Sequence, residues 1–197
     1  MTEYYRYLDI PHPPESMIAH ARKSIYKNLN KINIVNEGYS AETVTINNTT
    51  VHYGQYLCDC PMPEEDREWF NTNVIDASQY PITAHFTIKG DLYPHIDQYR
   101  IWGLNYVFET GGPSVETYWA QEDGQPLHRP QVTLNHFRYS TNLNELDSFI
   151  ARPNTWWLIR TDIIHGTRGQ TKDRGSITVG ISQTQYETLI SKFKTVD

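Results

Sequence analysis

The strongest constraint on this chain lies in its second half, where short β-rich runs follow one another with turn residues between them. The runs are Ile82 to Ile88, Ile101 to Phe108, Val115 to Ala120, Val132 to Tyr139, Trp156 to Arg160 and Ser176 to Ser182. β-Branched and aromatic residues fill them, and Gly111, Gly112, Pro113, Gly124 and Pro126 punctuate them, which is the chemistry of strands and tight turns. Strands this short and closely spaced bury an apolar face only when stacked as a sandwich or barrel. The expected fold is mainly β with flanking helices, a double-stranded β-helix (jelly roll, cupin-like).

Ahead of these runs the pattern is different. Pro13, Pro14, Glu15 and Ser16 precede Met17, Ile18, Ala21, Ile25 and Leu29, whose spacing predicts a helix over 15–29 with one apolar face. Val44 to Ile46 and Val51 to Leu57 flank Asn47 and Asn48 and read as a hairpin. Pro61, Pro63, Glu64, Glu65 and Asp66 lead into Trp69 and Phe70, a second helix with acids at its positive end. Leu143 to Ile150 reads as a short helix, and Tyr186, Leu189, Ile190 and Phe193 as a closing one. No repeat or linker divides the 197 residues, a length that suits one domain. Residues 1–81 supply N-terminal helices and supporting strands, 82–182 the jelly-roll core, and 183–197 the C-terminal helix.

Charge narrows the partners. With 17 basic residues against 23 acidic ones and a net charge of -6, the chain offers no general field for a phosphate backbone, so nucleic acid is not an expected partner. Residues 1–14 carry charges and prolines where a secretory signal needs an apolar run, and no later stretch approaches membrane-spanning length. A soluble, cytoplasmic protein without a membrane partner is expected. The two cysteines, Cys58 and Cys60, stand one residue apart, poor spacing for a disulfide, and read as reduced.

Chemistry concentrates at His95-Ile96-Asp97, the one His-x-Asp in the chain. Alternate residues of an extended strand share a face, so this pair can approach one ion; it is equally the pattern of a surface pair. A facial triad needs a second imidazole from elsewhere. His165, following the apolar Trp156-Trp157-Leu158-Ile159 run, is placed to supply it, or to serve as a hydrogen-bonded core histidine. The rivals His128 and His136 have no carboxylate two residues away. Downstream, Arg174 and Ser176 share one face of a strand, and a guanidinium fork beside a hydroxyl suits the grip of a carboxylate. Arg100 suits either an acidic substrate group or a nearby surface acid. The aromatics Tyr93, Tyr99, Trp102, Tyr118 and Trp119 flank the ligands and fit either a pocket mouth or the core.

Taken together, His95-x-Asp97, a distal His165 and the Arg174-x-Ser176 pair make the chain resemble the iron(II)- and 2-oxoglutarate-dependent oxygenase superfamily over roughly residues 82–182. Gly103 to Phe108, then Gly111-Gly112 and Glu116-Thr117-Tyr118, look like the strand, turn and strand of its prolyl-4-hydroxylase-like members. The Arg-x-Ser pair is closer to the penicillin-synthase-like branch. The resemblance implies Fe(II) on His95, Asp97 and His165, with 2-oxoglutarate and O2 as cosubstrates. It further implies a 5-carboxylate against Arg174 and Ser176 with Tyr106 as a third contact, and hydroxylation of an unactivated carbon in a peptidyl or small-molecule substrate, with succinate and CO2 as products. A carboxylate ligand at Asp97 favours hydroxylation over halogenation. Two other readings stand beside this one: a non-catalytic jelly-roll binding module, and a cupin-like metal enzyme that does not use 2-oxoglutarate.

Overall fold

A computed structural model describes residues 4–29, 43–46, 49–52, 58–87, 90–92, 94–97, 100–128, 135–136 and 143–196, with side-chain surroundings for all but 26–29, 43–46, 49–52, 58–59 and 135–136. The elements run β1 (Tyr5–Leu8), α1 (Glu15–Leu29), β2 (Thr43–Ile46), β3 (Thr49–His52), β4 (Cys58–Pro61), α2 (Glu64–Asn73), β5 (Ile82–Thr87) and β6 (His95–Ile96). They continue with β7 (Trp102–Thr110), β8 (Glu116–Glu122), β9 (Asn135–His136), β10 (Leu143–Ile150), β11 (Trp156–Arg160), β12 (Ile164–Arg168), β13 (Arg174–Ile181) and α3 (Gln183–Lys192).

Two sheets result. One has the order β1-β11-β7-β13-β5-β4, the other β3-β2-β10-β8-β12-β6-β9. Pairing is antiparallel except where β10 meets β2. The fold is mainly β, jelly-roll-like, with three helices among the described residues. Sequence explains the division of the core. β13 is buried along its whole length, and its period of two sends Ile177, Val179 and Ile181 to one face and Arg174, Ser176 and Thr178 to the other. The isoleucine and valine face packs with Met17, Ile18, Ala21 and Ile25 of α1 and with Phe70 of α2. On the opposite face, Val107, Trp157 and Ile159 of the first sheet meet Trp119 of the second. The polar row of β13 therefore points into the space between the sheets.

The helix at 15–29 starts behind Pro14, whose carbonyl accepts from Met17 N and Ile18 N at 2.9 and 3.3 Å. The second helix begins at Glu64 with its three acids in the first turn. Ser182 and Gln185 form a reciprocal capping box at the start of α3. β2 and β3 pair as the expected hairpin, although residues 53–57 lie outside the described part. Of the run at 132–139, only Asn135–His136 is described, as β9.

Leu143 to Ile150 is a strand, not a helix. It pairs with β8 along its length, with a bulge between Glu145 and Asp147. The extra residue breaks the two-residue alternation, so Leu143, Leu146 and Phe149 fall at a helix-like spacing. β1 and β12 also went unseen in the sequence, the latter because Ile-His-Gly-Thr-Arg is mostly polar and contains a glycine. Among the described residues, no helix is long and apolar enough to cross a membrane.

Candidate metal centre

Strand register builds the site. His165 of β12 and His95 of β6 are direct Cα partners in an antiparallel pair, and directly opposed residues project to the same side. Their ring centroids are 4.4 Å apart. Trp119, the Cα partner of His165 across the other edge of β12, lies in the inter-sheet cluster, so both imidazoles face the interior between the sheets. Just past β6, Asp97 N donates to Thr161 O at 3.0 Å, which fixes Asp97 beside them.

The donor atoms converge. Asp97 Oδ1 is 3.3 Å from His95 Nε2 and 4.0 Å from His165 Nε2. One ligand atom from each of the three residues lies within 4.8 Å of the others, and all three are buried. His165 Nδ1 donates to Ile163 O at 2.9 Å, which leaves the Nε2 lone pair facing Asp97. Burial, then the neighbouring His95, lowers the His165 pKa to about 4, so the ring is neutral near pH 7. Burial opposes the charge of Asp97, yet the Arg100 guanidinium and the two imidazoles outweigh it and hold that carboxyl well below the usual range. Two imidazole nitrogens and one carboxylate oxygen that face one another within the reach of a single ion suit a 2-His-1-carboxylate iron(II) site.

On the facing sheet, Arg174 is buried and has no hydrogen-bond or ion-pair partner among the described residues, and burial alone lowers its pKa to about 10. Ser176 Oγ, two residues along on the same face, is 3.4 Å from Thr178 Oγ1. Thr178 in turn donates to Asn105 at 2.8 Å. Gly111, at φ 81°, sits against this end of β13: a Cβ there would lie 3.0 Å from Arg174 Cβ and 2.9 Å from Gln170 Cγ. Among the described residues, two buried polar side-chain atoms have no partner, Thr117 Oγ1 and Trp157 Nε1. Thr117 is two residues from Trp119 on β8, and Trp157 belongs to the inter-sheet cluster; both therefore belong to the faces that enclose this space.

Tyr106 is elsewhere. It pairs with Ile177 while Val107 pairs with Ser176, so it faces the helices, packs against Trp156 and shares a 3.1 Å hydrogen bond with His12 Nδ1. The expected third contact to a cosubstrate is turned away from the triad. His128 Nδ1 donates to Asp162 Oδ2 at 3.0 Å, and Arg160 Nε donates to the other oxygen at 2.7 Å; neither belongs to the triad. The side chain of His136 lies outside the described residues, as do Tyr93 and Tyr99. Trp102, Tyr118 and Trp119 are buried core residues. Arg100 pairs with Asp97 itself, not with a surface acid. Its position three residues after Asp97 was the only hint in the sequence; nothing there singled out Thr117.

No family model matches the chain, and no curated protein does. Among solved structures, E. coli ycfD is 16% identical with a TM-score of 0.34, over 53% of this chain and 26% of that one. An oxidoreductase described as of the 2OG-Fe(II) oxygenase family, from Burkholderia pseudomallei, is 12% identical with a TM-score of 0.33, over 80% of this chain and 82% of that one. AviO1 from Streptomyces viridochromogenes is 8% identical with a TM-score of 0.38, over 90% and 91%. The chain thus spans about a quarter of the length of the first of these and most of the other two. At such identities the functional conclusion rests on the residues of this chain.

Proposed function

We propose that this protein is an iron(II)- and 2-oxoglutarate-dependent dioxygenase that hydroxylates an unactivated carbon of a peptidyl or small-molecule substrate. One observation carries the reading: a buried His95–Asp97–His165 set faces the same interior as a buried Arg174 that has no hydrogen-bond or ion-pair partner among the described residues. A guanidinium is costly to bury alone, so its place is best explained by an anion that arrives with the ligand. His95, Asp97 and His165 would hold the metal. Bound iron with 2-oxoglutarate and O2 supplies oxidising power that side chains lack, one oxygen atom ending in succinate and the other in the product hydroxyl, with release of CO2.

The side chains have positioning roles. Arg174 offers paired donors to the far carboxylate, and Ser176 adds a hydroxyl from the same strand face. The Thr117 hydroxyl, which has no partner among the described residues, takes the third place in this reading, in place of Tyr106. Trp119, Trp157 and Ile159, packed between the sheets, exclude water from one side of the site.

The test is anaerobic addition of Fe(II) and 2-oxoglutarate, read as a weak visible charge-transfer band, followed by succinate formation on admission of air. His95→Ala and Asp97→Ala should lose both signals while far-UV circular dichroism stays unchanged. A cupin-like enzyme would bind iron but give no band with 2-oxoglutarate. A binding module would do neither, and either result would end the proposal.

A further inference from the structure

The two carboxylate oxygens of Asp97 keep different company. Oδ1 faces the two histidine nitrogens. Oδ2 accepts from Arg100 Nε and is contacted by Arg100 Nη2, each at 2.6 Å. A carboxylate free to present both oxygens to a cation fills two coordination positions, whereas one whose second oxygen is occupied fills one.

The surroundings are built to bring Arg100 to that oxygen. Thr161 organises both residues: its carbonyl accepts from Asp97 N at 3.0 Å, its hydroxyl donates to Arg100 O at 3.3 Å, and its own N donates to Ile101 O at 2.8 Å. Opposite, Gly180 of β13 leaves the room through which the side chain passes. A Cβ at 180 would lie 3.1 Å from Arg100 Cδ and 3.1 Å from Tyr80 Cδ1. Charge acts in the same direction as geometry. Beside Arg100 the carboxylate is already neutralised, so a divalent ion on Oδ1 keeps more of its own charge for an incoming anion.

We infer that Arg100 is a positioning residue that fixes Asp97 as a one-oxygen ligand, holding open the coordination position that a chelating dianion such as 2-oxoglutarate needs. This rests on the metal-site reading above. Arg100 does not touch the reacting atoms; it acts through Asp97.

The experiment loads the full chain with Co(II), records its visible absorption, and titrates in 2-oxoglutarate, for wild type, Arg100→Ala, Arg100→Lys and Gly180→Ala. Thermal melting of each confirms that it is folded. Arg100→Ala should still bind Co(II), but with an altered spectrum before any 2-oxoglutarate is added, and its affinity for 2-oxoglutarate should fall by about 10- to 100-fold, the size typical of losing a partner behind a metal ligand. Arg100→Lys, which keeps the charge and one donor, should recover part of that loss. Gly180→Ala, which presses on Arg100 without touching Asp97, should show a smaller loss of the same kind and serves if Arg100→Ala does not fold. A wild-type spectrum and affinity in Arg100→Ala would overturn the inference alone. So would weaker 2-oxoglutarate binding with an unchanged spectrum, which would assign Arg100 to the anion directly. Failure of the wild type to bind Co(II) would overturn the inference together with the metal site beneath it.

Discussion

At the scale of single residues, what can be read from sequence is chemistry, and what cannot is direction. His95, Asp97 and His165 stood out because few residue types can ligate a metal and their spacing fits strands; the structure brings them together. Tyr106 lies in a run, Leu104 to Phe108, that is buried on both faces, so alternation gave no hint of which way it points. Arg174 is the residue whose energetics are most exposed to test. A buried guanidinium with no partner among the described residues destabilises the ligand-free protein, so Arg174→Met, which keeps the stem and removes the charge, should raise the melting temperature by a few degrees. The same substitution should weaken 2-oxoglutarate by about 100-fold or more, since charged hydrogen bonds contribute about 1.5–3 kcal/mol each. A melting temperature that falls would show that Arg174 is tied down by a contact of its own.

His165 supplies a second residue-scale prediction. Its folded pKa of about 4 lies below the ordinary 6.5, so the unfolded chain takes up the proton first as pH falls. The neutral ring's contribution is whole above about pH 6.5 and is lost progressively toward pH 4, on the order of 3 kcal/mol in total. Urea unfolding of the metal-free protein at pH 7 and pH 4.5 measures this. His165→Gln should flatten the dependence.

At the scale of elements, strands and helices whose hydrophobic period runs uninterrupted were legible, and those with a local break were not. The helix at 15–29 and the strand at 156–160 match because nothing interrupts their patterns. β10 differs from its sequence pattern because one bulged residue gives a strand the spacing of a helix. The turn after β7 shows how an element can serve the site from a distance. Gly111 has a positive φ and abuts Arg174, and its carbonyl accepts from Thr171 N and Lys172 N at 2.9 and 2.8 Å. Gly111→Ala should therefore cost about 1–3 kcal/mol from backbone strain and crowding. It should also weaken 2-oxoglutarate while sparing Co(II), because the disturbance reaches the arginine and not the triad. Parallel titrations with the two ligands would check this, and equal losses in both would count against it.

For the molecule as a whole, the sequence foretold two layers of strands with helices outside, since short strands leave few other ways to bury apolar surface. It did not foretell which face of each strand looks inward. That depends on register, and register is settled by packing between segments far apart in the chain. A cation bound by residues from β6 and β12 binds the folded state only. Saturating Co(II) at about 100 times its dissociation constant should therefore add about 2.7 kcal/mol of stability, seen as a rise in melting temperature that His95→Ala abolishes.

The opposition of His95 to His165 across a two-residue strand has one more consequence. Sliding β6 by a single residue would aim one imidazole outward and leave Ile96 in its place, and no cation could bridge the two segments. In the proposed function, metal capture would act as a proofreading step on strand alignment: a chain assembled one notch out of place would be left empty-handed, and only the correctly aligned one would gain a clamp against slipping back.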